Sequence, residues 1–191
     1  YYRFSENKAV ILPNGIDEEF KVERASTKFS TPLKAVFMYK NELSKSGLEF
    51  LNSFLEISDM ELELYIISGI VPEISSRENI KITVVPPMTT AELAGFYVDK
   101  DIFLSLNQYD TFSISTAEAM AGGLIPVVTS QTGISRYIEN GSNGFVLEYG
   151  NSGDLIDTIN MINGLPESKI GLIKKNAETI YESLSWNKVH E

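Results

Sequence analysis

Short apolar runs recur along the chain, each closed by a polar or glycine-containing break. Leu33 to Tyr39, Leu62 to Ile67, Ile80 to Val85, Asp101 to Leu106, Ile125 to Thr129 and Phe145 to Leu147 are the six runs of this kind. Their length and their Val, Ile, Leu and Phe content predict strands, the run at Ile125 a buried one. Stretches with helical spacing lie between them. Leu48, Phe50, Leu51, Phe54 and Leu55 form one apolar face, and Asp154 to Ile162 and Ser168 to Leu184 form later ones. A short helix is expected over Gly133 to Ile138. Thr89 and Glu92 make a capping box that opens a further helix and gives Glu92 a structural role. Strands that alternate with helices imply parallel pairing and right-handed crossovers. The expected fold is therefore α/β, a Rossmann-like doubly wound parallel sheet of about six strands. No Gly-x-Gly-x-x-Gly follows the first strand, so a dinucleotide site has little support.

The rest of the chain is read around that sheet. Residues 1–32 are a lead-in: a polar start, a strand over Ala9 to Leu12, a Pro13-Asn14-Gly15 turn, and a charged connecting loop from Glu18 to Thr31. Residues 33–184 form the domain itself. Residues 185–191 begin a truncated C-terminal helix. The chain starts at Tyr1 without a Met and is expected to be an excised domain.

Composition removes several classes of function. The 191 residues suffice for one domain, and 43% apolar content supplies a core. A net charge of −10 argues against a nucleic-acid-binding domain. The absence of cysteine excludes disulfides and cysteine-based metal sites, and the single histidine, His190, makes a histidine-based metal or triad site improbable. No apolar run reaches the about 18 residues that a membrane span needs.

Chemistry concentrates between Tyr109 and Ser130. A polar turn leads into a Ser/Thr-rich segment, then a short helix that carries Glu118 and ends at Gly122-Gly123, then the fifth strand. A loop that feeds a helix N-terminus at the carboxyl end of a parallel sheet offers free N–H groups to an anion such as a diphosphate. Asp110 and Glu118 flank that loop, and ionised carboxylates accept hydrogen bonds from sugar hydroxyls. Structural alternatives stay open. Ser115 and Glu118 fit a capping box, and Asp110 fits a turn. Lys40 and Lys45, near the first strand's carboxyl end, suit phosphate or solvent alike. Met88 suits the third loop or the core.

The run Asp110, Glu118-Ala-Met-Ala, Gly123, Pro126-Val-Val and Thr132-Gly133-Ile134 resembles the donor-site signature of retaining GT-B glycosyltransferases, family 4. Asp110 stands in place of the first Glu, and Thr111 and Ser113 in place of the glycines around Phe112. Ile11 to Asp17 is similar to the stretch at the entry to that family's C-terminal domain. The resemblance implies the C-terminal half of a GT-B fold that binds a nucleotide sugar and serves transfer of the sugar to an acceptor hydroxyl in glycan or polysaccharide synthesis. It implies that Asp110, Phe112, Ser113 and Ile114 meet the donor sugar, the last three through main-chain N–H groups. Glu118 then binds the ribose, Lys40 and Lys45 the diphosphate, and the backbone at Met88 the nucleobase. It implies no metal or other cofactor. The acceptor, a glycan or lipid-linked sugar, is held by an N-terminal domain outside this chain, without which transfer is not expected. The location implied is cytoplasmic, or the cytoplasmic face of a membrane. Two other readings remain: a non-catalytic nucleotide-binding or interaction module with a degenerate donor site, and a GT-B-type sugar-nucleotide epimerase.

Overall fold

A computed structural model describes residues 14–21, 28–40 and 47–189. The strand expected over Ala9 to Leu12 lies outside the described residues, as does Lys45.

Six parallel strands form one sheet: β1 (Leu33–Met38), β2 (Leu62–Ile67), β3 (Ile80–Val85), β4 (Ile102–Ser105), β5 (Ile125–Thr129) and β6 (Phe145–Leu147). Their order is β3-β2-β1-β4-β5-β6, the doubly wound arrangement with its switch point between β1 and β4. Side chains alternate across the pleat, so each face of the sheet covers its own core. Leu33, Ala35, Phe37, Ile102 and Leu104 face one layer, which α1 (Leu48–Ile57) and α4 (Ser152–Asn163) complete with Phe54, Leu55 and Ile159. Val36, Phe103 and Val128 face the other, which α2 (Thr90–Tyr97) and α3 (Ile114–Ala121) complete with Tyr97, Ala117 and Met120. Burial of apolar surface on both faces is the main stabilising term, at about 25 cal/mol per Å².

Several boundaries differ from the sequence expectation, and each has a local cause. The C-terminal helical pattern is two helices, α5 (Glu167–Glu178) and α6 (Ile180–Leu184), which meet at Thr179. Helix α7 (Trp186–Val189) follows. The segment at Gly133–Tyr137 is 3-10 rather than α-helical. The expected connecting loop starts as a 3-10 turn over Glu18–Phe20, because Phe20 is fully buried against Tyr97. Ile16 is buried as well, and its N–H donates to the Leu184 carbonyl at 2.7 Å, which joins the entry of the chain to its last helices. The Thr89–Glu92 capping box forms: the Thr89 N–H donates to Glu92 Oε2 at 2.9 Å and Thr89 Oγ1 accepts the Glu92 N–H.

Candidate functional site

All strands are parallel, so the loops after β1, β2, β3 and β4 leave the sheet at one edge. Two hollows lie along that edge and share Met38 and Lys40, which stand at and just beyond the end of β1. The first, of about 230 Å³, is polar. Asn14, Asn107 and the run from Asp110 to Ser115 line it. The second, of about 400 Å³, is apolar, with Ile67, Gly69, Pro87, Met88 and Leu93 in its wall. Lys40 is exposed and stands between a polar and an apolar compartment. Met88 has both sequence-expected placements, since it reaches the apolar hollow and packs against the core.

The loop from Asn107 to Ser113 is held tightly. Asp110 Oδ1 accepts the N–H groups of Phe112 and Ser113, each at 3.1 Å, and Oδ2 accepts from Asn107 Nδ2 at 3.3 Å. Two of the three N–H groups expected to face a donor are therefore turned to Asp110. The carboxylate of Asp sits one methylene from its own backbone, which is the reach needed to take amides two and three residues on. The N–H groups of Ile114 and Ser115 find no acceptor among the described residues. Ser113 adopts a left-handed conformation, φ 72°, which costs a residue with a Cβ about 1–3 kcal/mol. Its hydroxyl points inward, 2.8 Å from Thr116 Oγ1 and 3.3 Å from Ser105 Oγ. Phe112 sets its ring edge-on to Tyr137, centroids 6.0 Å apart.

Two glycines are required here. Gly47 precedes α1 at φ 56°, and a Cβ there would stand 2.5 Å from the Leu106 carbonyl oxygen, so the chain passes directly over the end of β4. A Cβ on Gly133 would collide with the Thr111 carbonyl, and the Gly133 N–H donates to the Asp110 carbonyl at 2.9 Å. Gly133→Ala is accordingly expected to displace the Asp110 loop and to destabilise the protein by about 1–3 kcal/mol; a urea midpoint equal to that of the unmodified protein would contradict this contact.

Glu118 does not form the capping box that its spacing with Ser115 suggests. Helix α3 starts at Ile114, with Ser113 as its N-cap, so Ser115 already lies in the first turn. The Glu118 carboxylate has no hydrogen-bond partner among the described residues, and Glu118 lines neither hollow. Burial pushes its pKa from 4.5 up to about 7. The nearby Asp17 carboxylate adds to the rise and the Lys40 ammonium opposes it. Asp17 is fixed by Trp186, whose Nε1–H donates to Asp17 Oδ1 at 2.9 Å.

Asn14, Thr111, Ser115, Asn107 and Asp17 were not singled out as candidates from the sequence. A signal existed for the first four, since Asn14 lies in the entry turn, Asn107 and Thr111 in the loop after β4, and Ser115 in the first turn of the helix that this loop feeds. The influence of Asp17 on Glu118 depends on the chain entry folding back beside α3, which no local pattern reports.

A six-stranded, 3-2-1-4-5-6 parallel sheet with a polar and an apolar hollow at its switch point is a Rossmann-like α/β fold, the fold of GT-B glycosyltransferases. A family model described as glycosyl transferases group 1 matches residues 73–178, and the chain belongs to that family. The chain is 27% identical over 103 residues to GDP-mannose:cellobiosyl-diphosphopolyprenol alpha-mannosyltransferase of Komagataeibacter xylinus, a match over 53% of this chain and 26% of that protein. Among solved structures it is similar to sucrose-phosphate synthase of Thermosynechococcus elongatus, with TM-score 0.74 and 15% identity over 93% of this chain and 49% of that one. It is also similar to Anabaena HepE in complex with UDP-glucose, with TM-score 0.65 and 18% identity over 81% of this chain and 46% of that one. The chain thus spans between a quarter and a half of these relatives. Among the described residues no helix is long and apolar enough to cross a membrane, and no group of three or more His, Asp or Glu side chains is placed to hold a metal ion.

Proposed function

We propose that this chain is the C-terminal, donor-binding half of a retaining glycosyltransferase that moves a hexose from a nucleotide sugar to an acceptor hydroxyl in glycan or polysaccharide synthesis. The observation that carries this reading is the divided cleft. An apolar hollow and a polar hollow meet at Lys40, and a nucleotide sugar has the same division: a flat base, a charged diphosphate and a hydroxyl-rich ring. The base enters the apolar hollow against the backbone at Met88. The diphosphate lies at Lys40 and, by its place in the chain, at Lys45. The ring takes the polar hollow, bounded by Asp110, Phe112, Ser113 and Ile114, with the Ile114 and Ser115 N–H groups directed at the charge that develops on the leaving phosphate. Glu118 accepts the ribose hydroxyls. The acceptor site belongs to a domain outside this chain, and no transfer is expected without it. The relative with UDP-glucose bound and the relative named for GDP-mannose both support a nucleotide-sugar donor.

A thermal-shift screen of the full-length protein with UDP, GDP and ADP sugars tests this, since a ligand of the folded state raises its stability by mass action. No shift with any of them would leave the non-catalytic module as the better reading. Lys40→Ala should weaken a nucleoside diphosphate by about 1 kcal/mol, roughly fivefold, because the contact is partly exposed. It should leave the nucleoside unchanged, and added salt should narrow the difference. Equal losses for nucleoside and diphosphate would remove Lys40 from the phosphate.

A further inference from the structure

We infer that Asp110 is a positioning residue: through the N–H groups of Phe112 and Ser113 it holds Ser113 left-handed, and so aims the first free amides of α3 into the polar hollow. The inference rests on the donor-site reading for what occupies that hollow, but the brace itself stands on geometry alone.

Asp110 is committed on every side. Its N–H donates to the Gln131 carbonyl at 3.4 Å, its carbonyl accepts from Gly133 at 2.9 Å, and its two carboxylate oxygens take the three donors described above. Asn107, which supplies one of them, is tied to β5 by Thr129 Oγ1, which donates to the Asn107 carbonyl at 2.5 Å. The brace therefore joins the ends of β4 and β5 to the start of α3. Its target is Ser113, buried and left-handed in a place where glycine would need no support. The Ser113 hydroxyl meets Thr116 and Ser105, both buried, so this side chain is tied inward.

Two of the three departures from the usual signature, Asp110 and Ser113, thus explain each other. Ser at 113 introduces a strained N-cap, and Asp at 110 is short enough to hold its backbone, as a residue with a longer arm would not be. The consequence for the ligand is a shift along the chain. The amides of Phe112 and Ser113 are spent inside the loop, and those of Ile114 and Ser115 remain for an anion.

A double-mutant cycle decides the matter. Asp110→Ala is made in the full-length protein with and without Ser113→Gly. Stability is read by urea unfolding, and binding of UDP, GDP, ADP and UDP-glucose by calorimetry. Asp110→Ala should weaken diphosphate and nucleotide sugar alike, by about tenfold, and lower the urea midpoint; in the presence of Ser113→Gly both losses should shrink to about threefold or less. Asp110→Asn keeps an oxygen that accepts both amides and should recover most of what Asp110→Ala loses. Losses of equal size in both backgrounds would overturn the inference. So would an Asp110→Asn protein that keeps UDP but loses UDP-glucose, because that pattern belongs to a direct sugar ligand. If the unmodified protein binds none of the four nucleotides, the donor reading fails and the aim at a ligand fails with it; the urea cycle still accepts or rejects the brace.

Discussion

Glu118→Gln is expected to make the protein more stable above neutral pH and, at the same time, a poorer binder of nucleotides. The folded protein holds the Glu118 pKa at about 7, against an ordinary value of 4.5, chiefly through burial. The sign follows from that direction. The group favours folding while protonated, so its contribution is fully present below about 4.5 and is lost as pH rises through about 7. Above that pH the folded state carries a half-buried carboxylate with no hydrogen-bond donor among the described residues. The gap is worth on the order of 3 kcal/mol as an upper limit. Gln removes the charge at nearly constant shape, so urea unfolding at pH 8 should show a gain approaching that size, and none at pH 4.5. Binding should move the other way. Ribose hydroxyls that donate to the carboxylate favour its charged form, so a nucleotide sugar should bind the unmodified protein more weakly at pH 6 than at pH 8. The Gln variant should bind weakly at both. A variant that gains stability and keeps its affinity and pH dependence would place the ribose elsewhere.

The ribose role proposed for Glu118 comes from the resemblance and not from its spacing. Spacing alone points Glu118 to a capping box with Ser115, and the structure withdraws that role by starting α3 two residues earlier. The start depends on Ser113 turning left-handed, which in turn depends on Asp110, so the helix boundary follows from a side-chain brace and not from helix propensity. The fold was far more legible. The bounds expected for β2, β3, β5 and β6 match those observed, because short apolar runs between breakers have few other uses in a parallel sheet. The positions of Lys40 and Met88 beside the hollows were legible for the same reason: each follows a strand, and parallel strands deliver their carboxyl ends to one edge. Contacts between distant segments were not. Phe20 against Tyr97, Ile16 against Leu184 and Asp17 near Glu118 join residues far apart in the chain, and nothing in the local pattern of Glu18 to Thr31 records them.

The same limit hides the residue whose loss should cost most. The sequence marks Asp101 only as the first residue of an apolar run. In the structure it is 2% exposed. Its Oδ2 accepts the N–H groups of Lys34, at 3.0 Å, and Ser30, at 3.1 Å, and its Oδ1 lies 3.4 Å from the ammonium of Lys174, also buried, on α5. Lys174 in turn stands 4.9 Å from the centroid of the Phe29 ring. One carboxylate thus ties the entry of β1, the entry of β4 and helix α5 at the edge of the sheet opposite the cleft. Asp101→Ala takes one carboxylate from a buried ammonium and the acceptor from two amides. Breaking a buried pair from one side typically costs about 3–5 kcal/mol. Lys174→Met should cost less, because Asp101 keeps both amides and Met fills much of the volume. Urea unfolding of the two variants, with the nucleotide affinity of whatever remains folded, gives the comparison. The expected pattern is a large loss of stability for Asp101→Ala, a smaller one for Lys174→Met, and little change in affinity for either, since the anchor and the cleft lie at opposite ends of the strands. An Asp101→Ala protein as stable as Lys174→Met would show that the ammonium, not the amides, is what the carboxylate serves.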